Sequence, residues 1–179
     1  MVTIFIAKIE SKISSEVFIK YILKKYLKIQ GSVLIQKNKY GKPFLVNSPN
    51  IHYNISHTKG IMVCAISACY VGIDIERIKN FNKRIPKRFF TENEQNYIYS
   101  REEDQNNRFF EVWTRKEAYV KWIGKGLEMP LDSFDVLSIE NIYTFSYGVY
   151  TISVCNKEFK QKSAIHKYCL IELGPETLF

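Results

Sequence analysis

Val71-Gly72-Ile73-Asp74-Ile75-Glu76 is the stretch on which the reading of this chain turns. β-branched residues dominate it, and that composition predicts a short strand. Side chains alternate along a strand, so Asp74 and Glu76 share one face while Val71, Ile73 and Ile75 share the other. Gly72 leaves room for another backbone or a ligand to approach closely. Further along, Trp113-Thr114-Arg115-Lys116-Glu117-Ala118-Tyr119-Val120-Lys121 reads as a helix. Its Trp113, Glu117 and Lys121 are spaced i, i+4, i+8 and lie on one face. Two carboxylates on a strand, a third on a helix and a lysine one turn away form a set able to hold Mg²⁺ and a phosphorylated substrate.

The composition frames that hypothesis. At 179 residues the chain is long enough to bury a sizeable core, as one domain or two small halves. Aromatic content of 15% argues against disorder. A formal net charge of +8 favours a polyanionic partner: nucleic acid, a phosphorylated cofactor or an acidic protein. Cys64, Cys69, Cys155 and Cys169 contain no C-x-x-C pair and, with three scattered histidines, offer no zinc spacing. Free thiols of a cytoplasmic protein are expected. Residues 1–10 lack the pattern of a signal peptide, and no apolar run is long enough to span a bilayer.

Taken in order, Val2–Ile9 reads as a strand and Glu16–Ile29 as a helix with Ser14 or Ser15 as N-cap. Ser32–Gln36 reads as a strand, and 37–43 as a basic, turn-rich connection. Asn50–Ser56 leads through a turn at 57–60 into the apolar strand Ile61–Ser67. A helix entry follows at 85–94, where Thr91 as N-cap and Glu94 at N3 form a capping box. Ser100–Asn107 is polar and reads as a loop; a long helix then runs over 108–123 and stops at Gly124. Period-2 stretches at 134–139, 143–147, 150–154 and 168–172 predict a second antiparallel sheet. The order strand, helix, hairpin strands thus occurs twice, on either side of residue 72.

Each feature has a bland explanation in isolation. Alternation alone leaves Asp74 and Glu76 as exposed polar positions. Glu117 and Lys121 are an ordinary i, i+4 pair, worth about 0.2–0.5 kcal/mol on a surface helix. Trp113 suits a core wall, His57 a strand-end turn, and the capping box fully accounts for Glu94.

The ordered set is another matter. Gly41-Lys42-Pro43, Asn54-Ile55-Ser56-His57, Gly72-Ile73-Asp74-x-Glu76, Arg88-Phe89-Phe90-Thr91-x-x-Glu94, Trp113-Thr114-x-Lys116-Glu117-Ala118-x-x-Lys121 and Lys125-Gly126-Leu127-x-x-Pro130-Leu131-Asp132-Ser133-Phe134 occur in one chain. Over residues 30–136 the sequence closely resembles the 4′-phosphopantetheinyl transferases, of the monomeric type that activates surfactin synthetase. The resemblance implies an α+β fold, a pseudo-dimer of two similar halves (1–72 and 73–179) with antiparallel sheets, a packed long helix and an active site at the junction. It implies coenzyme A as donor and a serine of a small acidic acyl or peptidyl carrier protein as acceptor, with 3′,5′-ADP released. The metal, Mg²⁺ or Mn²⁺, falls to Asp74, Glu76 and Glu117, and charge on the leaving side to Lys121. Lys42, Ser56, His57, Lys116 and Lys121 are the implied coenzyme A contacts, with His57 near the 3′-phosphate. Glu117, Glu94 and a metal-bound water are the candidate bases, with Glu117 preferred and Glu94 assisting. Members of this type carry a basic N-terminal cluster on the nucleotide end of coenzyme A, and this sequence is expected to lack it.

Two other readings stand beside this one. A nucleic-acid-binding module without catalysis would use the +8 charge and the aromatics, but the lysines are spread along the chain and no nucleic-acid motif is present. A Mg²⁺-dependent nuclease or phosphatase would use the same carboxylates, yet leaves the Asn-Ile-Ser-His and Lys-Gly-Leu stretches without a role.

Overall fold

Strand alternation and two amphipathic helices build the core. The computed structural model describes residues 1–9, 13–160 and 165–172. The elements in chain order are β1 (Val2–Lys8), α1 (Ser15–Lys25), β2 (Ile35–Lys37), β3 (Pro43–Leu45), β4 (His52–Thr58), β5 (Ile61–Ser67) and β6 (Val71–Arg77), then α2 (Arg84–Phe89), α3 (Glu92–Tyr99), α4 (Gln105–Ile123), β7 (Ile142–Tyr147), β8 (Tyr150–Asn156) and β9 (Ile165–Glu172). One sheet has the order β4-β5-β1-β9, a second β6-β8-β7, and β2-β3 form a small hairpin.

The two large sheets lie face to face, and the alternation within each strand decides what meets what. Ile4, Ile6, Val63 and Ala65 of the first sheet pack against Ile73, Ile75, Ile152 and Val154 of the second. The opposite parity of β1 and β5 (Phe5, Ala7, Met62, Cys64) turns outward to Phe18, Ile19, Ile22 and Leu23 of α1. On the far side, Cys155 of β8 and Ile142 of β7 pack with Val112 and Ala118 of α4. The layers therefore run helix, sheet, sheet, helix. β1 pairs antiparallel with β5 and β6 antiparallel with β8, while β4 and β7 add antiparallel partners outside β5 and β8. The same strand order follows each of the two strand–helix–hairpin runs.

Gly72 explains why α4 lies where it does. A Cβ at this position would stand 2.0 Å from the Ala118 carbonyl oxygen and 2.4 Å from the Trp122 nitrogen. The close approach that Gly72 permits is thus that of the α4 backbone. Thr114 Oγ1, one turn before Ala118, meets Ser153 Oγ of β8 at 2.7 Å and fixes the same contact.

Several sequence expectations shift. The Ser14 hydroxyl accepts from the Val17 N–H as an N-cap, but α1 ends at Lys25, where the chain turns through Lys28 at φ 56°. β2 starts at Ile35, and α4 starts at Gln105 inside the stretch read as a loop. The segment 134–139 is not a strand. Its carbonyls go to a side chain instead: Arg115 donates to Val136 O at 2.8 Å and to Ile139 O at 3.2 Å. Its apolar residues Phe134, Val136, Leu137 and Ile139 pack in the cluster that also holds the apolar face of α4. β9 does not extend the second sheet; it lies parallel to β1 in the first. Residue 72 lies in β6, and β9, late in the sequence, pairs with β1.

Candidate active site

β6 and α4 bring their charged residues together beside β4. The Asn54 side chain accepts from the Ile73 N–H at 2.9 Å, a bond that registers the edge of one sheet against the edge of the other. Two residues along β4, the Ser56 hydroxyl donates to Asp74 Oδ1 at 2.8 Å. Lys121 of α4 donates to the same oxygen at 2.6 Å, to Ser56 Oγ at 3.1 Å and to the Ile73 carbonyl at 3.3 Å. Asp74 is only 5% exposed, and its second oxygen, Oδ2, is buried with no hydrogen-bond partner among the described residues.

Glu76 and Glu117 complete the acidic side, both half-buried. Burial pushes the pKa of each above the usual carboxylate value, and the Asp74 charge raises both further. Each of the two glutamates thus feels the Asp74 charge. Among the described residues, no group of three acidic, histidine or cysteine side chains stands close enough to hold a cation as placed. The donor set nevertheless fits a hard divalent ion: three carboxylates, one with an orphaned buried oxygen, and two on flexible glutamate stems able to turn toward it.

The other expected contacts separate into three groups. Lys42 approaches the same helix from the β2-β3 turn, but its ammonium donates to the carbonyls of Lys121 (2.6 Å), Trp122 (3.1 Å) and Val71 (3.2 Å). It thereby satisfies the open carbonyls of α4's last turn, and Asn38 assists by donating to the Gly124 carbonyl at 3.3 Å. Gly124 itself terminates the helix in the left-handed conformation, φ 74°. His57 is exposed, and its register opposite Met62 puts it on the α1 side of the sheet, away from the Ser56 face. Lys116 and Glu94 are fully buried and pair with each other at 2.8 Å.

That pair bears on two expected roles, Lys116 as a coenzyme A contact and Glu94 as an assisting base. Lys116 also donates to the Leu131 and Phe134 carbonyls, at 2.5 and 2.8 Å, so its ammonium has no face toward solvent for a phosphate. Glu94 takes the Thr91 and Val136 N–H groups at 2.8 Å each and closes the capping box, leaving its carboxylate no path to a serine hydroxyl. The helix-capping explanation of Glu94 is the one the geometry carries. Both residues tie α3, α4 and the 131–136 segment together instead. Asn54 and Asn38 also take part, through the Ile73 N–H and the α4 terminus. Asn38 carries a readable signal, since Asn38-Lys39-Tyr40-Gly41 is turn chemistry, and its side chain accepts from the N–H groups of residues 40 and 42.

A cleft of about 300 Å³ opens between the two groups, with Gly41, Lys42 and Pro43 on one wall and Glu117, Lys121 and Gly124 on the other. Lys42 gives it a measurable signature. Burial lowers its pKa to about 8, from 10.5 in an unhindered lysine. Between those values the folded protein binds fewer protons than the unfolded chain, so Lys42 contributes stability that grows as pH rises through this window. We expect the stability of the parent relative to Lys42→Met to be greater at pH 10 than at pH 7 in urea unfolding. A constant difference would show that Lys42 titrates normally.

Comparison with known sequences completes the picture. The sequence model of the 4′-phosphopantetheinyl transferase superfamily matches residues 70–170. The chain is 50% identical over 106 residues to 4′-phosphopantetheinyl transferase gsp of Aneurinibacillus migulanus, covering 58% of this chain and 43% of that protein. It is 37% identical over 116 residues to 4′-phosphopantetheinyl transferase Sfp of Bacillus subtilis, covering 64% and 52%. Similarity extends to 4′-phosphopantetheinyl transferase HetI of Nostoc, at 32% over 117 residues, covering 61% and 49%. The chain spans about half the length of the curated relatives it matches. With the family model covering more than half of this sequence, including β6, α4 and the three carboxylates between them, the chain belongs to the 4′-phosphopantetheinyl transferase superfamily.

Proposed function

We propose that this protein transfers the 4′-phosphopantetheine arm of coenzyme A to a serine of an acyl or peptidyl carrier protein. The observation that carries the reading is the convergence of Asp74, Glu76, Glu117 and Lys121 beside a cleft whose opposite wall is the Gly41-Lys42-Pro43 turn. Two similar α+β halves, with the site at their junction, are part of this reading, and the repeated strand order supports it.

Asp74, Glu76 and Glu117 would hold Mg²⁺ or Mn²⁺, which when bound neutralises pyrophosphate charge and orients the group for attack. Lys121, 27% exposed at its side chain, faces the cleft and stabilises negative charge gathering on the departing 3′,5′-ADP. The serine oxygen forms a bond to the β-phosphorus, the phosphoanhydride bond breaks, and the serine proton passes to a base. Glu117 is that base in this reading: it lies on the cleft wall with a raised pKa, whereas Glu94 is sealed inside the protein. The exposed His57 remains a candidate contact for a donor phosphate, while Lys42, its ammonium given to the Val71, Lys121 and Trp122 carbonyls, shapes the cleft wall.

An acidic carrier has a matching surface. Arg77, Lys79, Lys83, Arg84, Lys87 and Arg88 are all exposed, directly follow Glu76, and have no carboxylate among them. The strip supports attraction and orientation of an acidic domain beside the site. Among the described residues no helix is long and apolar enough to cross a membrane. A monomer of the cytoplasm is the setting we propose.

The test is intact-mass analysis of apo carrier proteins incubated with this protein, coenzyme A and Mg²⁺. The carrier should gain one phosphopantetheine arm, and the gain should vanish with EDTA and in Asp74→Ala. No gain across peptidyl, polyketide and fatty-acid carriers would overturn the transferase reading for this chain. Tight, salt-sensitive binding of random-sequence DNA would then favour the nucleic-acid reading.

A further inference from the structure

The resemblance places Ser56 among the contacts to coenzyme A, yet its surroundings point elsewhere. Ser56 is 7% exposed and lies on a strand whose register is pinned by the Asn54–Ile73 bond. Its hydroxyl hydrogen is committed to Asp74 Oδ1 at 2.8 Å, and its oxygen accepts from Lys121 at 3.1 Å. A phosphate oxygen needs a donor, and the one hydrogen Ser56 owns is already given away.

What this achieves is visible on the other side of the carboxylate. With Oδ1 held by Ser56 and by Lys121, the Asp74 side chain is fixed about its last torsion, and Oδ2 is left buried without a hydrogen bond. A buried carboxylate oxygen with no partner is costly unless something is meant to sit on it. We propose that Ser56 is a positioning residue for the metal: it holds Asp74 so that Oδ2 is the oxygen offered to the divalent cation. Ligating carboxylates are commonly held in this way by an outer hydrogen bond, and losing such a bond typically costs 10–100-fold in metal affinity. The proposal rests on the metal-dependent transferase reading and deepens it, by moving Ser56 from the donor-binding set to the metal set.

The experiment reads metal and donor separately, without turnover. Mn²⁺ binding is measured by the loss of the free-ion electron paramagnetic resonance signal, and coenzyme A binding by calorimetry in EDTA. The proteins are the full chain, Ser56→Ala and Ser56→Thr, with melting curves to confirm that each is folded. The expected result is a roughly tenfold weaker Mn²⁺ affinity in Ser56→Ala, recovery toward the parent value in Ser56→Thr, which keeps the hydroxyl, and coenzyme A affinity in EDTA within about twofold of the parent in both. Unchanged Mn²⁺ affinity in Ser56→Ala overturns the proposal, and if coenzyme A affinity falls at the same time, Ser56 is a donor contact after all. If the parent itself binds no Mn²⁺, with or without coenzyme A, the metal reading fails and the proposal falls with it. That result is distinguishable from the preceding ones because it appears before any substitution is made.

Discussion

Replacing Gly72 by alanine is expected to cost about 4 kcal/mol and to lower the melting temperature by about 8–16 °C in a domain of this size. The added Cβ would lie 2.0 Å from the Ala118 carbonyl oxygen and 2.4 Å from the Trp122 nitrogen, both backbone atoms of α4. A side chain in the way could swing aside. A helix backbone cannot, so β6 and α4 must separate. The separation acts at the site as well as on stability, because Asp74 rides on β6 and its Lys121 partner on α4, joined at 2.6 Å. Activity should therefore fall even at temperatures where the variant is folded. Gly60→Ala is the control: its φ of +80° carries a backbone penalty, but nothing lies within 4 Å of the new methyl group. A loss of about 1–2 kcal/mol is expected there. Equal losses at the two glycines would show that α4 does not need the close approach.

The second large effect is expected from the buried ion pair. Lys116→Met leaves the Glu94 carboxylate inside the protein with two N–H donors but no counter-charge. Glu94→Gln leaves the Lys116 ammonium with neutral oxygen acceptors and no counter-charge. Each single change should cost about 3–5 kcal/mol, because an isolated buried charge is far more expensive than the pair. Burial pulls the Lys116 pKa down, and the adjacent Glu94 carboxylate opposes that pull. The double variant should recover much of the loss, since no charge is then stranded. Urea unfolding of the four proteins gives the coupling directly. If the two single losses simply add in the double variant, the pair is not coupled and the contacts contribute separately. If instead Lys116 contacted a coenzyme A phosphate, Lys116→Met would weaken donor binding while leaving stability nearly intact.

The sequence carried the candidate-site residues further than it carried their roles. Periodicity alone put Asp74 and Glu76 on one strand face and Glu117 and Lys121 on one helix face, because a backbone period fixes which side chains point together. It marked Thr91 and Glu94 as a capping box for the same local reason. It identified the second strand–helix–hairpin run, but not that β9 would return to pair with β1, since a strand's partner is decided by which sheet edge is open to it. The stretch 134–139 reads as a strand because its apolar residues are interspersed with Asp135 and Ser138. Arg115, distant in sequence, takes the carbonyls that a neighbouring strand would have used.

The same limit governs the cations. Lys42, Lys116 and Lys121 are alike in sequence, each in a motif and each a plausible phosphate contact. Tertiary structure gives them three different environments: the carbonyl end of α4, a sealed pocket against Glu94, and the open cleft beside Asp74. Local periodicity and motif order determined which elements form, which family the chain resembles and which residues gather. Which charges remain available for chemistry was decided only by packing, because burial and the nearest opposite partner, both set by contacts far apart in the chain, fix what a charged side chain can still do.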